Sequence, residues 1–197
     1  MSTHDERIYS ILKECAGYIT ATQATEAGIP RRCLTEMCAA GQLCKVDRGI
    51  YATSDILEDE MYSLQYRYGK GVFSHGTALY LHSMTDRTPH RYTLTFPRGY
   101  NTSGIRKHGY IKMVTSEFYE LGITEMLSPY GNSLKVYEVE RTLCDIVRGK
   151  NADDIQLVNP AMKAYLSSSN KDISKLLAYA DRMRVKSKIL NYIQILL

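Results

Sequence analysis

The sequence predicts an α+β protein in two parts. Residues 1–55 form a small helical unit ending in a β-hairpin, and residues 56–197 form a larger domain with helices packed on a small mixed sheet. Three observations predict this. Tyr18 to Tyr51 reads as two short helices parted by Gly28-Ile29-Pro30, then two short strands around Asp47-Arg48-Gly49. Arg91 to Phe96, R-Y-T-L-T-F, alternates as a strand does. Apolar residues recur at helical spacing over Val139–Val147 and again over Ile189–Leu196.

In chain order, the spacing predicts a first helix over Asp5–Cys15, with Ile8, Ile11, Leu12 and Cys15 as one stripe and Asp5 and Glu6 in the first turn, where negative charge suits the helix dipole. Thr20 and Gln23 then spell T-x-x-Q, a capping box that satisfies free backbone donors at a helix start. Gly28 stands where a left-handed residue ends that helix, and Pro30 where a missing N–H costs nothing at the start of the next. The second helix gathers Leu34, Met37 and Cys38 on one face and turns Arg31, Arg32, Thr35 and Glu36 elsewhere, until Gly41 ends it. Leu43–Val46 and Ile50–Tyr51 make a hairpin with Arg48 at its tip. A helix-turn-helix whose second helix carries arginines outward, followed at once by such a wing, has the shape that enters a DNA major groove. The expected DNA contacts are Thr22, Gln23, Arg31, Arg32, Thr35 and Arg48.

Beyond the polar link Ala52–Asp55, helices are expected over Asp59–Tyr68 and His75–Ser83, the latter capped by Ser74. Strands follow at Arg91–Phe96, Tyr110–Thr115, Gly122–Leu127 and Leu134–Tyr137. Helices then run over Glu138–Val147, from Asp153-Asp154 to Leu166, over Asp172–Ala180 and over Val185–Leu196.

Charge is uneven. Residues 1–55 hold 6 Lys/Arg against 7 Asp/Glu, whereas residues 160–197 hold 7 against 2. Phosphate contact supplies most non-specific affinity for DNA. Either the few arginines of the winged unit share one face, or the C-terminal residues Lys163, Lys171, Lys175, Arg182, Arg184, Lys186 and Lys188 also meet phosphate or an acidic partner. No apolar run approaches the ~20 residues that span a bilayer, and the N-terminus M-S-T-H-D-E-R is polar, so a cytoplasmic protein without membrane contact is expected. The five cysteines form no C-x-x-C pair. Zinc at Cys33, Cys38 and Cys44 would stretch the usual ligand spacing, and buried free thiols are the better reading.

The ionisable groups do not spell an enzyme. His75 and His82 share a helix face with Asp86 nearby, but they lie two turns, about 10 Å, apart, too far for one ion. Glu138, Glu140, Asp145, Asp153 and Asp154 could suggest a two-metal nuclease, yet Arg141 and Asp145 are spaced to pair with each other. No phosphate-binding loop, zinc-protease helix, nucleophile elbow or dinucleotide fingerprint is present. Neither a catalytic residue nor a metal or cofactor is expected.

Several phrases together carry a resemblance: G-I-P-R-R at Gly28–Arg32, D-R-G-I-Y-A-T at Asp47–Thr53, V-F-S-H-G-T-A-L-Y-L-H-S-M-T-D-R-T-P at Val72–Pro89, T-L-T-F-P-R-G-Y at Thr93–Tyr100 and V-Y-E-V-E-R-T-L-C-D-I-V-R at Val136–Arg148. Over nearly its whole length the chain resembles the AbiE-type (AbiEi) antitoxins of type IV toxin–antitoxin systems. The resemblance implies an N-terminal winged domain that binds inverted repeats in its own promoter and represses it. It also implies a C-terminal domain that counters a nucleotidyltransferase-like toxin in phage abortive infection without forming a stable complex. It carries no catalytic residues. Two other readings stand beside it: a winged nuclease using Glu140 and Asp145, and a ligand-responsive regulator with Tyr66, Tyr68, Tyr92 and Tyr100 lining a pocket.

Overall fold

The computed structural model of the chain describes residues 3–56, 58–102, 104–105, 111–148 and 154–196. Asp153 and Tyr110, named above at element ends, lie outside the described residues. The chain divides into two compact units, residues 1–69 with 127–133, and residues 70–126 with 134–197. The link at 52–55 therefore falls within the span of the first unit.

In the first unit, α1 (Thr3–Glu14) precedes β1 (Tyr18–Thr20), a strand that the sequence did not announce. Three residues are too few for an alternating pattern to show. Next come α2 (Ala21–Glu26), α3 (Arg31–Ala39), β2 (Leu43–Asp47), β3 (Ile50–Thr53) and α4 (Glu60–Arg67). The strands form an antiparallel sheet in the order β1-β3-β2, with Ile19 opposite Tyr51 and Cys44 opposite Ala52. Ile8 and Leu12 of α1, Ala24 of α2, Leu34 and Met37 of α3, and Ile19, Ile29 and Leu43 make one core. Burying each large aliphatic side chain there contributes about 1.5–3 kcal/mol. A second cluster, Tyr18, Ile50 and Ala52, is covered by Val46, Ile56, Tyr62 and Tyr66.

The second unit holds β4 (Val72–Phe73), α5 (His75–Leu81), β5 (Tyr92–Pro97) and β6 (Ile111–Ser116), then β7 (Ile123–Leu127) and β8 (Ser133–Tyr137), whose facing ends belong to the first unit. Helices α6 (Val139–Ile146), α7 (Ile155–Ser167), α8 (Ile173–Arg182) and α9 (Lys186–Leu196) complete it. The mixed sheet runs β6-β5-β4-β8-β7, with β4 antiparallel to β5 and parallel to β8. The two-residue β4, read from sequence only as a short apolar entry, is thus the central strand. Its neighbour β5 is buried on both faces, since Thr93 and Thr95 are buried along with Leu94 and Phe96. The threonines tolerate this because Thr95 donates to the Ser74 hydroxyl at 2.8 Å and Thr93 N–H donates to Thr77 Oγ1 at 2.8 Å. Ser74 stands at the start of α5 as expected, but its side chain makes no capping bond and serves this internal network instead. The helices pack around Leu79, Leu143, Ile146, Met162, Leu166, Leu176 and Ile189.

Candidate nucleic-acid interface

The start of α2 is built as its sequence requires. Thr20 Oγ1 accepts from Gln23 N–H at 3.1 Å, and the Gln23 side-chain oxygen accepts from Thr20 N–H at 2.9 Å. The Gln23 amide nitrogen donates to Cys15 Sγ at 3.3 Å, so both ends of that side chain are used inside the unit. Gly28 follows at φ +71, the left-handed conformation that glycine adopts without a Cβ clash, and turns the chain into α3.

On α3 the two faces separate cleanly. Leu34 and Met37 are buried, whereas Arg31, Arg32, Thr35 and Glu36 are exposed. Positions 31 and 35 lie one turn apart, and 32 and 36 lie beside them, so the four form one outward surface. Arg31 Nε donates to Thr25 Oγ1 at 3.3 Å, and Thr25 donates on to Ala21 O at 2.8 Å, which ties the arginine stem to α2. Thr22 is exposed at the start of α2, and its hydroxyl lies 3.1 Å from Tyr66 Oη.

At the hairpin tip Asp47 is opposite Ile50, and the turn between them is Arg48-Gly49 with Gly49 at φ +79. A turn whose second central residue has positive φ selects glycine there. Arg48 is exposed. Sequence reasoning left out several exposed cations of this unit, among them Lys45 on β2 and Arg7 on α1, whose guanidinium donates to Ala27 O at 3.4 Å. Strand alternation sets Lys45 on the same face as the buried Leu43, so the pattern did not mark it as outward. Nothing local in the sequence connects Arg7 to the end of α2.

The C-terminal cations divide by what they touch. Lys175 lies 2.7 Å from Glu138 and 3.6 Å from Glu140, and the bond to Glu138 raises its pKa above the usual lysine value. Lys186 pairs with Asp181 at 3.2 Å. Lys171 and Lys188 donate to the carbonyls of Ser168 and Val147 at 3.1 and 2.7 Å. Lys163, Arg182 and Arg184 are exposed, without a partner among the described residues.

The other candidate groups are held apart. His82 Nε2 lies 2.7 Å from Tyr137 O, and His75 Nδ1 lies 3.2 Å from Ser74 Oγ. Asp145 is taken by Arg141, with bonds of 3.1 and 3.2 Å, and Glu140 by Tyr165 and Lys175. Among the described residues no three His, Cys, Asp or Glu side chains gather to hold a cation. Of the tyrosines suggested for a pocket, Tyr66 and Tyr68 belong to the first unit, Tyr92 sits against Phe73, and Tyr100 stacks on Phe96 at 5.0 Å. A groove of about 840 Å³ lies elsewhere, between α7 and α9, with Val158, Tyr192, Ile195 and Lys163 in its lining. The cysteines are free, but the expectation that they are buried holds only for Cys144: Cys15, Cys33 and Cys38 are half-buried, and Cys44 is exposed on β2. The helical and strand positions that suggested burial lie at the margins of a small core, which has room for few side chains. Among the described residues no helix is long and apolar enough to cross a membrane.

Residues 6–54 match the model of the family AbiEi_4, described as "Transcriptional regulator, AbiEi antitoxin". No curated protein matches the chain. A solved structure, that of the RV2827C protein from Mycobacterium tuberculosis, is similar in fold at a TM-score of 0.58, with 16% identity over 98% of this chain and 78% of that one. The matched segment runs from α1 to the end of the wing, so the outward face of α3 and the Arg48 tip both lie inside it. Over these residues the chain is similar to the AbiEi antitoxin transcriptional regulators.

Proposed function

We propose that the chain is a cytoplasmic autorepressor and type IV antitoxin. α3 enters the major groove of inverted repeats in its own promoter, with Arg31, Arg32 and Thr35 at base edges. Arg48 reaches the flanking backbone or minor groove from the wing. Thr22 meets phosphate beside them, and Gln23 acts from within, by holding the start of α2. Residues 1–55 recognise the promoter, and residues 56–197 oppose a nucleotidyltransferase-like toxin in phage abortive infection without a stable complex. Lys163, Arg182 and Arg184 are the C-terminal cations left for phosphate or an acidic partner. Lys171, Lys175, Lys186 and Lys188 would have to share donors already engaged.

One observation carries this reading. The exposed Arg31-Arg32-Thr35 surface backs onto a helix face that is the unit's own core, and an exposed arginine tips the adjoining hairpin. The charge deficit of residues 1–55 reaches these cations as well, since Glu36 shares the α3 surface and Asp47, paired with Arg67, adjoins Arg48. The test is titration of the chain against its own upstream DNA and against a scrambled duplex at several salt concentrations. Preferential binding of the upstream DNA, falling steeply with salt, is expected. Equal binding of both duplexes would defeat promoter recognition. Co-expression with the neighbouring gene tests the antitoxin half: growth arrest by that gene should be relieved by this chain.

A further inference from the structure

A wing is a two-strand hairpin, and its tip is fixed only by what packs against it. Here two of the groups that grip the tip come from α4, which lies past the matched segment 6–54. Arg67 pairs with the Asp47 carboxylate. The other oxygen of that carboxylate accepts the N–H of Arg48 at 2.6 Å, so the ion pair holds the backbone of the tip residue itself. Tyr66 lies against Gly49, where an added methyl would come within 3.4 Å of its hydroxyl, and that hydroxyl reaches Thr22 on α2. Ala21 N–H donates to Gly49 O at 2.8 Å, completing the link between the wing turn and α2. α4 is held in turn. Asp59 caps it by accepting from Tyr62 N–H at 3.0 Å, and its second oxygen takes Ser128 Oγ and, at 2.9 Å, Asn132 Nδ2 from the turn 127–133 of the same unit.

A carboxylate beside the wing-tip arginine is unexpected on a surface that meets phosphate. By charge alone it repels the duplex. Its two bonds give it another use. We propose that Tyr66 and Arg67 are positioning residues for DNA reading, fixing the wing turn through Gly49 and Asp47 so that Arg48 meets the duplex in one place. This rests on the reading that α3 and the wing face DNA, and it extends the reading unit from residues 6–54 to α4. A contact held within about half an ångström keeps its energy, and one looser by about an ångström loses much of it.

The test uses the full chain, its upstream DNA and five substitutions, D47N, R67M, R67K, R48A and R32A, with thermal unfolding as a control on folding. D47N keeps an oxygen to accept the Arg48 N–H and removes only the charge that Arg67 holds. Simple electrostatics predicts tighter binding of D47N to DNA. The clamp predicts binding weaker by about fivefold, and a loss that vanishes when D47N is combined with R48A. R67M should behave alike, and R67K should recover part of the loss. Should D47N bind as tightly as the parent or tighter, the clamp is overturned. Additive losses in the R48A/R67M double variant would overturn it too, since Arg67 would then be a direct phosphate contact. Should R67M unfold, D47N carries the test alone. R32A reports on the underlying reading: if it binds as the parent does, reading and clamp fall together, and if it weakens while D47N does not, only the clamp falls.

Discussion

Arg141 is fully buried and reaches five oxygens. It forks onto both oxygens of Asp145, donates to the carbonyls of Phe118 and Leu121 at 2.6 and 2.8 Å, and lies 3.5 Å from Ser116 Oγ. Its guanidinium also sits 4.3 Å from the centre of the Tyr137 ring. Removing one partner of such a pair leaves a buried charge uncompensated, so R141M should destabilise the chain by about 3–5 kcal/mol in urea unfolding, and adding D145N should restore part of that. The i,i+4 spacing of the pair was legible in sequence. Its burial, which turns a weak surface pair into a strong constraint, was not. His82 provides a pH test at the same scale. Burial holds its imidazole below the ordinary value of 6.5, against the opposing pull of the Tyr137 carbonyl, Glu140 and Glu138. Below that value the unfolded chain takes up a proton that the folded chain refuses, so stability is full above about pH 6.5 and falls as pH drops below it. His82→Gln, which can still donate to Tyr137 O, should flatten that fall when unfolding midpoints are compared across this range.

α3 and the wing are the elements on which the proposed function turns. If Arg31 or Arg32 reads a base, its replacement by alanine should cost about 1–3 kcal/mol on the upstream duplex and little on a scrambled one. A loss of equal size on both duplexes, with a shallower salt slope, would make that arginine a phosphate contact instead. Competitive titration of the two duplexes distinguishes these outcomes. Why α3 presents these side chains follows from neighbouring positions alone. Gly28 sets the turn, and Leu34 and Met37 commit one face to the core, which leaves positions 31, 32 and 35 to solvent.

At the scale of the whole molecule, the first compact unit does not stop at the wing. Tyr18 is fully buried, packs edge-on to Tyr62 at 5.3 Å, and its hydroxyl accepts the Asp59 N–H at 2.7 Å. Burial pushes the Tyr62 phenol up to about 12. A fragment of residues 1–55 lacks α4 and would expose Tyr18, Ile50 and Ala52. It should melt broadly by circular dichroism, whereas residues 1–69 should melt cooperatively at a temperature below that of the full chain, because Asp59 then lacks Ser128 and Asn132. A sharp transition for residues 1–55 would show that α4 is dispensable to the fold. The sequence alone determined what neighbouring residues decide among themselves: the capping box at Thr20, the turn at Gly28, the two faces of α3, the hairpin with Arg48 at its tip, and the alternation of β5. The tertiary structure alone decided that β4 is a central strand, that Arg67 holds Asp47 across 20 positions, Tyr66 meets Thr22 across 44, and Ser128 meets Asp59 across 69. Local signals survive in sequence because a helix turn or strand pleat repeats within a few residues. A contact between distant segments has no period, and only the packed core brings its two ends together.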